Sequence, residues 1–252
     1  MKTQVTIIGV GTMGRAIWKS IERNDKSIKV FGVDKVLSVT EKAKKEINNS
    51  QFVILAVKPQ DREEAIQQFK VYFKKEVVLI SIMAGVSLEK LRRLSGHKKI
   101  IRMMPNLGLS VGHGIAAWKS LGLSVVEKNK AKNFLNKITD NFEVKNEDTI
   151  NKVTAISGSG PAYFFLLADS LIKVCQNLGF TKEESRKLVE KTLSASAELG
   201  KEEVTHADLI KRVASKGGTT EAALKVFKQR NFEKIIKDAV TAAYKRAKEL
   251  NG

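Results

Sequence analysis

Thr3-Gln4-Val5-Thr6-Ile7-Ile8-Gly9-Val10-Gly11-Thr12-Met13-Gly14 joins a strand pattern to a glycine turn. Its first six residues alternate and then run apolar, the pattern of a buried strand. Residues 9–14 form a G-x-G-x-x-G turn, and RAIWKSIER from Arg15 places apolar residues at helical spacing. A glycine turn between a strand and a helix has a physical purpose. Gly9 permits the tight turn, Gly11 clears a side chain where a pyrophosphate approaches the backbone, and Gly14 lets helix and strand pack closely. The helix N-terminus presents unpaired N–H groups to the phosphates. Gly9, Val10, Gly11, Thr12, Met13 and Gly14 are thus the expected cofactor loop of a dinucleotide-binding, Rossmann-type domain.

Outward from this loop, IKVFGV at 28–33 reads as a second strand ending at Asp34. A carboxylate there accepts hydrogen bonds from the adenosine ribose and repels a 2′-phosphate, which favours NADH. Lys35 beside it softens that preference, so NADPH stays open. FVILAV at 52–57, VVLISIM at 77–83 and KIIRMMPN at 99–106 read as further strands, separated by DREEAIQQFKVYF and SLEKLRRLS as helices. Alternating strands and helices imply a parallel, doubly wound sheet. This α/β domain is assigned to residues 1–148. From Asp148 onward no strand pattern occurs. DTINKVTAISGSGPAYFFLLADSLIKVCQNLG reads as a long apolar helix with a Gly/Ser interruption, and four more helical stretches follow. Residues 149–252 are assigned to an all-α domain. Its helices are more apolar than a small lone bundle needs, which implies burial against a second copy.

Composition narrows the function. The 252 residues carry a net charge of +18. The lysines are interleaved with glutamates, as in EKAKKEINN and TKEESRKLVEK, which is the pattern of solvated helix faces rather than of a nucleic-acid site. No apolar run reaches the roughly 18–20 residues of a membrane span. Without a secretory leader pattern, and with the single cysteine Cys175 unable to form an internal disulfide, a reducing cytoplasm is the expected compartment. Cys175 lies in an apolar helical run and is expected to be buried. His97, His113 and His206 fall in polar or loop contexts without metal-ligand spacing, so no metal is expected and all three are read as surface residues.

Several further segments, in this order, resemble the pyrroline-5-carboxylate reductase family over essentially the whole chain. They are Ala56-Val57-Lys58-Pro59-Gln60, Ser81-Ile82-Met83-Ala84-Gly85-Val86, Arg102-Met103-Met104-Pro105-Asn106, Ser157-Gly158-Ser159-Gly160-Pro161-Ala162-Tyr163, and Val213-Ala214-Ser215-Lys216-Gly217-Gly218-Thr219-Thr220. The resemblance implies reduction of the C=N bond of 1-pyrroline-5-carboxylate to L-proline, the last step of proline biosynthesis, with hydride from NADPH or NADH. It implies that Val57, Lys58, Pro59 and Ala84 border the cofactor. It places the substrate carboxylate on the backbone of Gly218, Thr219 and Thr220, with Ser215 nearby. The Thr220 hydroxyl then hydrogen-bonds the ring nitrogen and helps supply its proton. Glu147 matches a position that touches the substrate amine. The helical part is implied to be a dimerisation domain, giving a homodimer or a ring of dimers. A protonated cyclic imine is already electrophilic, so the absence of a His–Asp or Ser–His arrangement fits.

The sequence departs from that pattern in places. Lys216 stands where the family usually has proline. Only KVLSVTEKAKKEINNSQ separates Asp34 from FVILAV, too short for the helix and extra strand common in relatives, so one helix is expected to be missing. Ala43 falls where an asparagine often contacts the cofactor. Two other readings share parts of the pattern: a related imine or β-hydroxyacid reductase, and a non-catalytic NAD(P)-binding redox sensor or scaffold. Neither accounts for GGTT together with SGSGPAY.

Overall fold

The structure, a computed structural model, describes residues 3–34 and 40–250. It divides into two compact units: residues 1–161 with 242–252, and Ala162–Thr241.

Among the described residues the first unit is built on seven strands. They are β1 (Gln4–Ile8), β2 (Lys29–Val33), β3 (Phe52–Leu55), β4 (Val78–Ser81), β5 (Ile100–Pro105), β6 (Ile115–Leu121) and β7 (Asp140–Glu143), in the spatial order β2-β1-β3-β4-β5-β6-β7. The helices between them are α1 (Thr12–Asn24), α2 (Glu41–Asn49), α3 (Arg62–Phe69), α4 (Leu88–Ser95) and α5 (Val125–Leu135). β3, β4 and β5 are buried along their whole length, as strands covered on both faces must be. On one face Val5, Ile7, Ile54 and Ile80 pack with Ile17 and Ile21 of α1 and with Phe134 of α5. On the other, Ile8, Val53, Leu55 and Leu79 pack with Ile47 of α2, Ile66 of α3 and Leu91 of α4. The side-chain period of two along each strand therefore feeds two cores at once. The rings of Phe52 and Phe134 stack with centroids 4.2 Å apart.

Three expectations change. The sheet is not wholly parallel: β6 runs antiparallel to β5, pairing Ile100 with Leu121 and Pro105 with Ala116. Only residues 106–114 connect these strands, fewer than a parallel crossover requires. β6 and β7, neither of them anticipated, return to parallel pairing because α5 supplies the crossover. His97 is not a surface residue. It is 8% exposed, and its Nε2 lies 2.7 Å from the Val77 carbonyl oxygen. The short stretch after β2 still holds one helix, α2, and among the described residues β2 stands at the rim of the sheet with no strand outside it.

The helical region comprises α6 (Asp148–Val153), a π-helical turn over Thr154–Gly158, α7 (Gly160–Asn177), α8 (Lys182–Leu199), α9 (His206–Val213), α10 (Thr219–Gln229) and α11 (Phe232–Glu249). The wide turn coincides with the Gly/Ser interruption, and α7 restarts at Gly160-Pro161, where proline needs no helical N–H partner. Asp148–Asn177 is a 30-residue helical run, long and apolar enough by length and composition to cross a membrane. The expectation that no segment reaches that size is corrected: Asp169 and Lys173 break the apolar run in sequence but not the helix. Cys175 is half-buried rather than buried.

Candidate active site

The dinucleotide loop lies at the carboxyl end of β1, where the chain moves to β2 on one side and β3 on the other. Open α/β sheets bind ligands at such a switch point. The registers Ile8↔Val33, Ile8↔Leu55 and Leu55↔Ser81 bring the four strand ends level. The hydrogen bonds Gly9 N–H to Val33 O (2.8 Å), Ala56 N–H to Ile8 O (2.8 Å) and Ile82 N–H to Leu55 O (3.1 Å) hold them there. Gly9–Gly14, Asp34, Val57–Pro59 and Ala84 all belong to these ends. Lys35 lies outside the described residues.

The three glycines do different things. Gly9 has φ +98°, and a Cβ there would stand 2.8 Å from the Ala56 carbonyl. A Cβ on Gly14 would collide with the Gly9 carbonyl oxygen. A Cβ on Gly11 would meet nothing within 4 Å, so its lack of a side chain leaves open space above the turn. α1 has Gly11 at its N-cap, no side chain capping it and no acid in its first turn. By contrast α2, α4, α5, α8 and α9 each begin with a Ser or Thr side chain accepting from the first turn. The α1 N-terminus thus fits an anionic pyrophosphate. Lys58 is exposed at the N-cap of a short 3-10 turn, Pro59–Asp61, and Asp34 and Ala84 are half-buried.

In the second unit, α10 also begins without a side-chain cap, at Gly218. The Ser215 Oγ would stand 2.5 Å from a Cβ on Gly218, so Ser215, Gly218, Thr219 and Thr220 form one cluster. The Gly218 N–H is bonded to the Ser215 carbonyl (3.0 Å), and the Gly217 N–H to Glu221 Oε2 (2.6 Å). The first intrahelical bond runs from the Ala222 N–H to the Gly218 carbonyl, so helix geometry leaves the amides of Thr219, Thr220 and Glu221 without an intrahelical partner, those of Thr219 and Thr220 nearest the loop. Glu221 itself holds the loop by its Gly217 bond.

Glu147 has partners of its own. Its Oε1 accepts from the Leu88 N–H at the start of α4 (2.8 Å) and from Arg102 Nη1 (2.9 Å). Arg102, on β5, is 2% exposed; its Nη2 donates to Asn151 Oδ1 (2.6 Å), and its Nε is buried with no partner. This cluster went unread in the sequence, although an arginine inside the apolar run KIIRMMPN signals it. At the end of the same strand, Asn106 Nδ2 donates to Ser157 Oγ (3.1 Å), and Asn106 Oδ1 accepts from the Ile115 N–H (3.2 Å). A side-chain amide so joins the RMMPN segment to the π-helical turn.

A pyrroline-5-carboxylate reductase of Aquifex aeolicus is 32% identical over 98% of this chain and 97% of its own length. The chain belongs to the pyrroline-5-carboxylate reductase family. Residues 147–250 match the family described as pyrroline-5-carboxylate reductase dimerisation, and residues 4–85 that of NADP oxidoreductase, coenzyme F420-dependent. The crystal structure of Plasmodium falciparum pyrroline carboxylate reductase with NADP bound superposes with a TM-score of 0.89, at 27% identity, over 100% of both chains. That of the Coxiella burnetii enzyme gives 0.84 at 31% identity, again over 100% of both. The fold is thus an N-terminal Rossmann-type domain followed by a helical dimerisation region, and the chain forms an oligomer through the latter.

Proposed function

We propose that the chain reduces 1-pyrroline-5-carboxylate to L-proline. One observation carries the site assignment: α1 and α10, the helices preceded by the two glycine signatures, have glycine at the N-cap, Gly11 and Gly218, with no side chain to occupy the first-turn N–H groups. Each offers main-chain donors to an anion, the pyrophosphate at Gly9–Gly14 and the substrate carboxylate at Thr219 and Thr220. Family membership supports pairing the two.

When bound, the reduced nicotinamide supplies the hydride. Gly9, Val10, Gly11, Thr12, Met13 and Gly14 hold the pyrophosphate, and Val57, Lys58, Pro59 and Ala84 line the nicotinamide end. Ser215, Gly218 and Thr219 position the substrate, and the Thr220 hydroxyl donates to the ring nitrogen as it becomes an amine. Glu147, whose Oε1 accepts from the Leu88 N–H at the start of α4, is assigned to the substrate amine. Asp34 directs the chain toward NADH, with NADPH the alternative carrier, since a carboxylate at the end of β2 favours ribose hydroxyls over a 2′-phosphate. A homodimer, alone or in a ring, in the cytoplasm and without nucleic-acid or membrane partners, completes the proposal.

The test follows oxidation of NADH and of NADPH with pyrroline-5-carboxylate. Turnover is expected with both and a higher kcat/KM with NADH; absence of turnover with both would sink the assignment. Thr220→Ala removes a hydrogen bond to a charged group, so kcat/KM should fall about ten- to a hundred-fold, or roughly 1.5–3 kcal/mol. A wild-type value would remove Thr220 from the mechanism.

A further inference from the structure

We infer that the last two turns of α11, with Tyr244 and Leu250, are a positioning element for the loop Met83-Ala84-Gly85, and through it for the nicotinamide end of the cofactor. The inference rests on the reading of Ala84 given above.

Residues 242–252 belong to the same compact unit as the sheet. Gly85 is buried and takes φ +72°, a left-handed conformation that glycine adopts freely. A Cβ added there would stand 2.8 Å from the Ala247 carbonyl oxygen, and would collide with Leu250 Cβ. The helix backbone therefore occupies the space above Gly85, and Ala247 is 3% exposed as a result. On its other side, Ala84 packs against the small core of Met104, Ala117, Val144 and Ile150. The helix end is pinned by a second contact: the Tyr244 hydroxyl donates to Asp148 Oδ2 at 2.7 Å. Asp148 opens α6, which carries Ile150. The loop is held between the core that α6 feeds and the helix end that α6 anchors. This hydrogen bond lowers the Asp148 pKa and raises that of Tyr244, so the hydroxyl remains the donor at neutral pH. Lys152, 3.5 Å from the same carboxylate oxygen, and Asn151, which donates to its Oδ1, are the other polar groups facing it.

The contacts named here fall on Asp148 and Gly85, not on residues 9–14. The consequence is a separation of effects along the cofactor. Tyr244→Phe and Leu250→Ala are each expected to weaken NADH binding roughly five-fold, within the range of one lost hydrogen bond or small contact. They should lower kcat, and leave the affinity for ADP-ribose, which lacks the nicotinamide, unchanged. Leu250→Met, which refills the space, should restore NADH affinity. Dissociation constants would be read by fluorescence titration of the intact oligomer, beside thermal melting.

Variants that bind NADH like wild type, whether or not their melting temperature falls, would overturn the inference. So would an equal loss for NADH and ADP-ribose. Failure of the wild-type chain to bind NADH or NADPH at all would instead overturn the proposed function.

Discussion

At the residue scale, two neighbouring glycines separate a ligand site from a packing constraint. Gly14→Ala forces a methyl onto the Gly9 carbonyl oxygen and should destabilise the fold by about 1–3 kcal/mol, measured by urea denaturation. Gly11→Ala adds a methyl in open space, so its stability should match wild type within about 0.5 kcal/mol while NADH affinity falls. Equal effects of the two substitutions on stability and on binding would contradict the roles given to them. Arg102 makes a third case. Glu147→Ala strips the carboxylate from an arginine that is 2% exposed, an uncompensated buried charge that should cost about 3 kcal/mol in the same assay. An unchanged denaturation midpoint would show that this pair holds nothing. Gly9, Gly11 and Gly14 were legible because spacing alone gives them distinct tasks. The Glu147 contacts were not, since its partners Leu88 and Arg102 lie 59 and 45 residues away in the chain.

At the element scale, α5 shows how a local signal fixes a boundary. Ser124 and Glu127 form a reciprocal cap, and Lys99 Nζ lies 2.6 Å from Glu127 Oε1. Lys99 and the Ser124 groups hold the Glu127 carboxyl down to about 2, from an ordinary value of 4.5. A depressed folded-state pKa contributes stability that is fully present above pH 4.5 and lost as pH falls towards 2. Glu127→Gln should therefore melt below wild type at pH 6, and the difference should shrink steadily from pH 4.5 to pH 2. A constant gap across that window would show that the ionised cap adds nothing. β3 and β4 were legible because each lies in a continuous apolar run. β6 was not: Ile115-Ala116-Ala117-Trp118-Lys119-Ser120-Leu121 mixes small, polar and large residues, and only its register against β5 makes it a strand.

At the scale of the whole molecule, the apolar surface of the helical region is the main feature. Phe164, Phe165 and Leu166 on α7 are 61%, 62% and 69% exposed in the single chain. Surfaces of this kind mark association sites, and the dimerisation match over 147–250 includes them. Phe165→Lys should shift the sedimentation profile of the wild-type oligomer toward the monomer. An unchanged profile would place the subunit contact elsewhere. The architecture of both halves was visible in the alternation of strand and helix patterns in the first half and in the helical patterns without strands that follow Asp148. The full length of the apolar helical run Asp148–Asn177 was not, because Asp169 and Lys173 interrupt its apolar residues in the sequence.

The position of β2 at the rim has one more consequence. A strand with a free side offers a row of main-chain donors and acceptors to any passing chain. Here that strand is five residues long and opens with Lys29, whose exposed ammonium lies 3.7 Å from Glu46 on α2. The opposite rim, β7, is four residues long and carries Asp140 and Glu143. Brevity and charge at both rims are the features that discourage an edge strand from pairing with another chain.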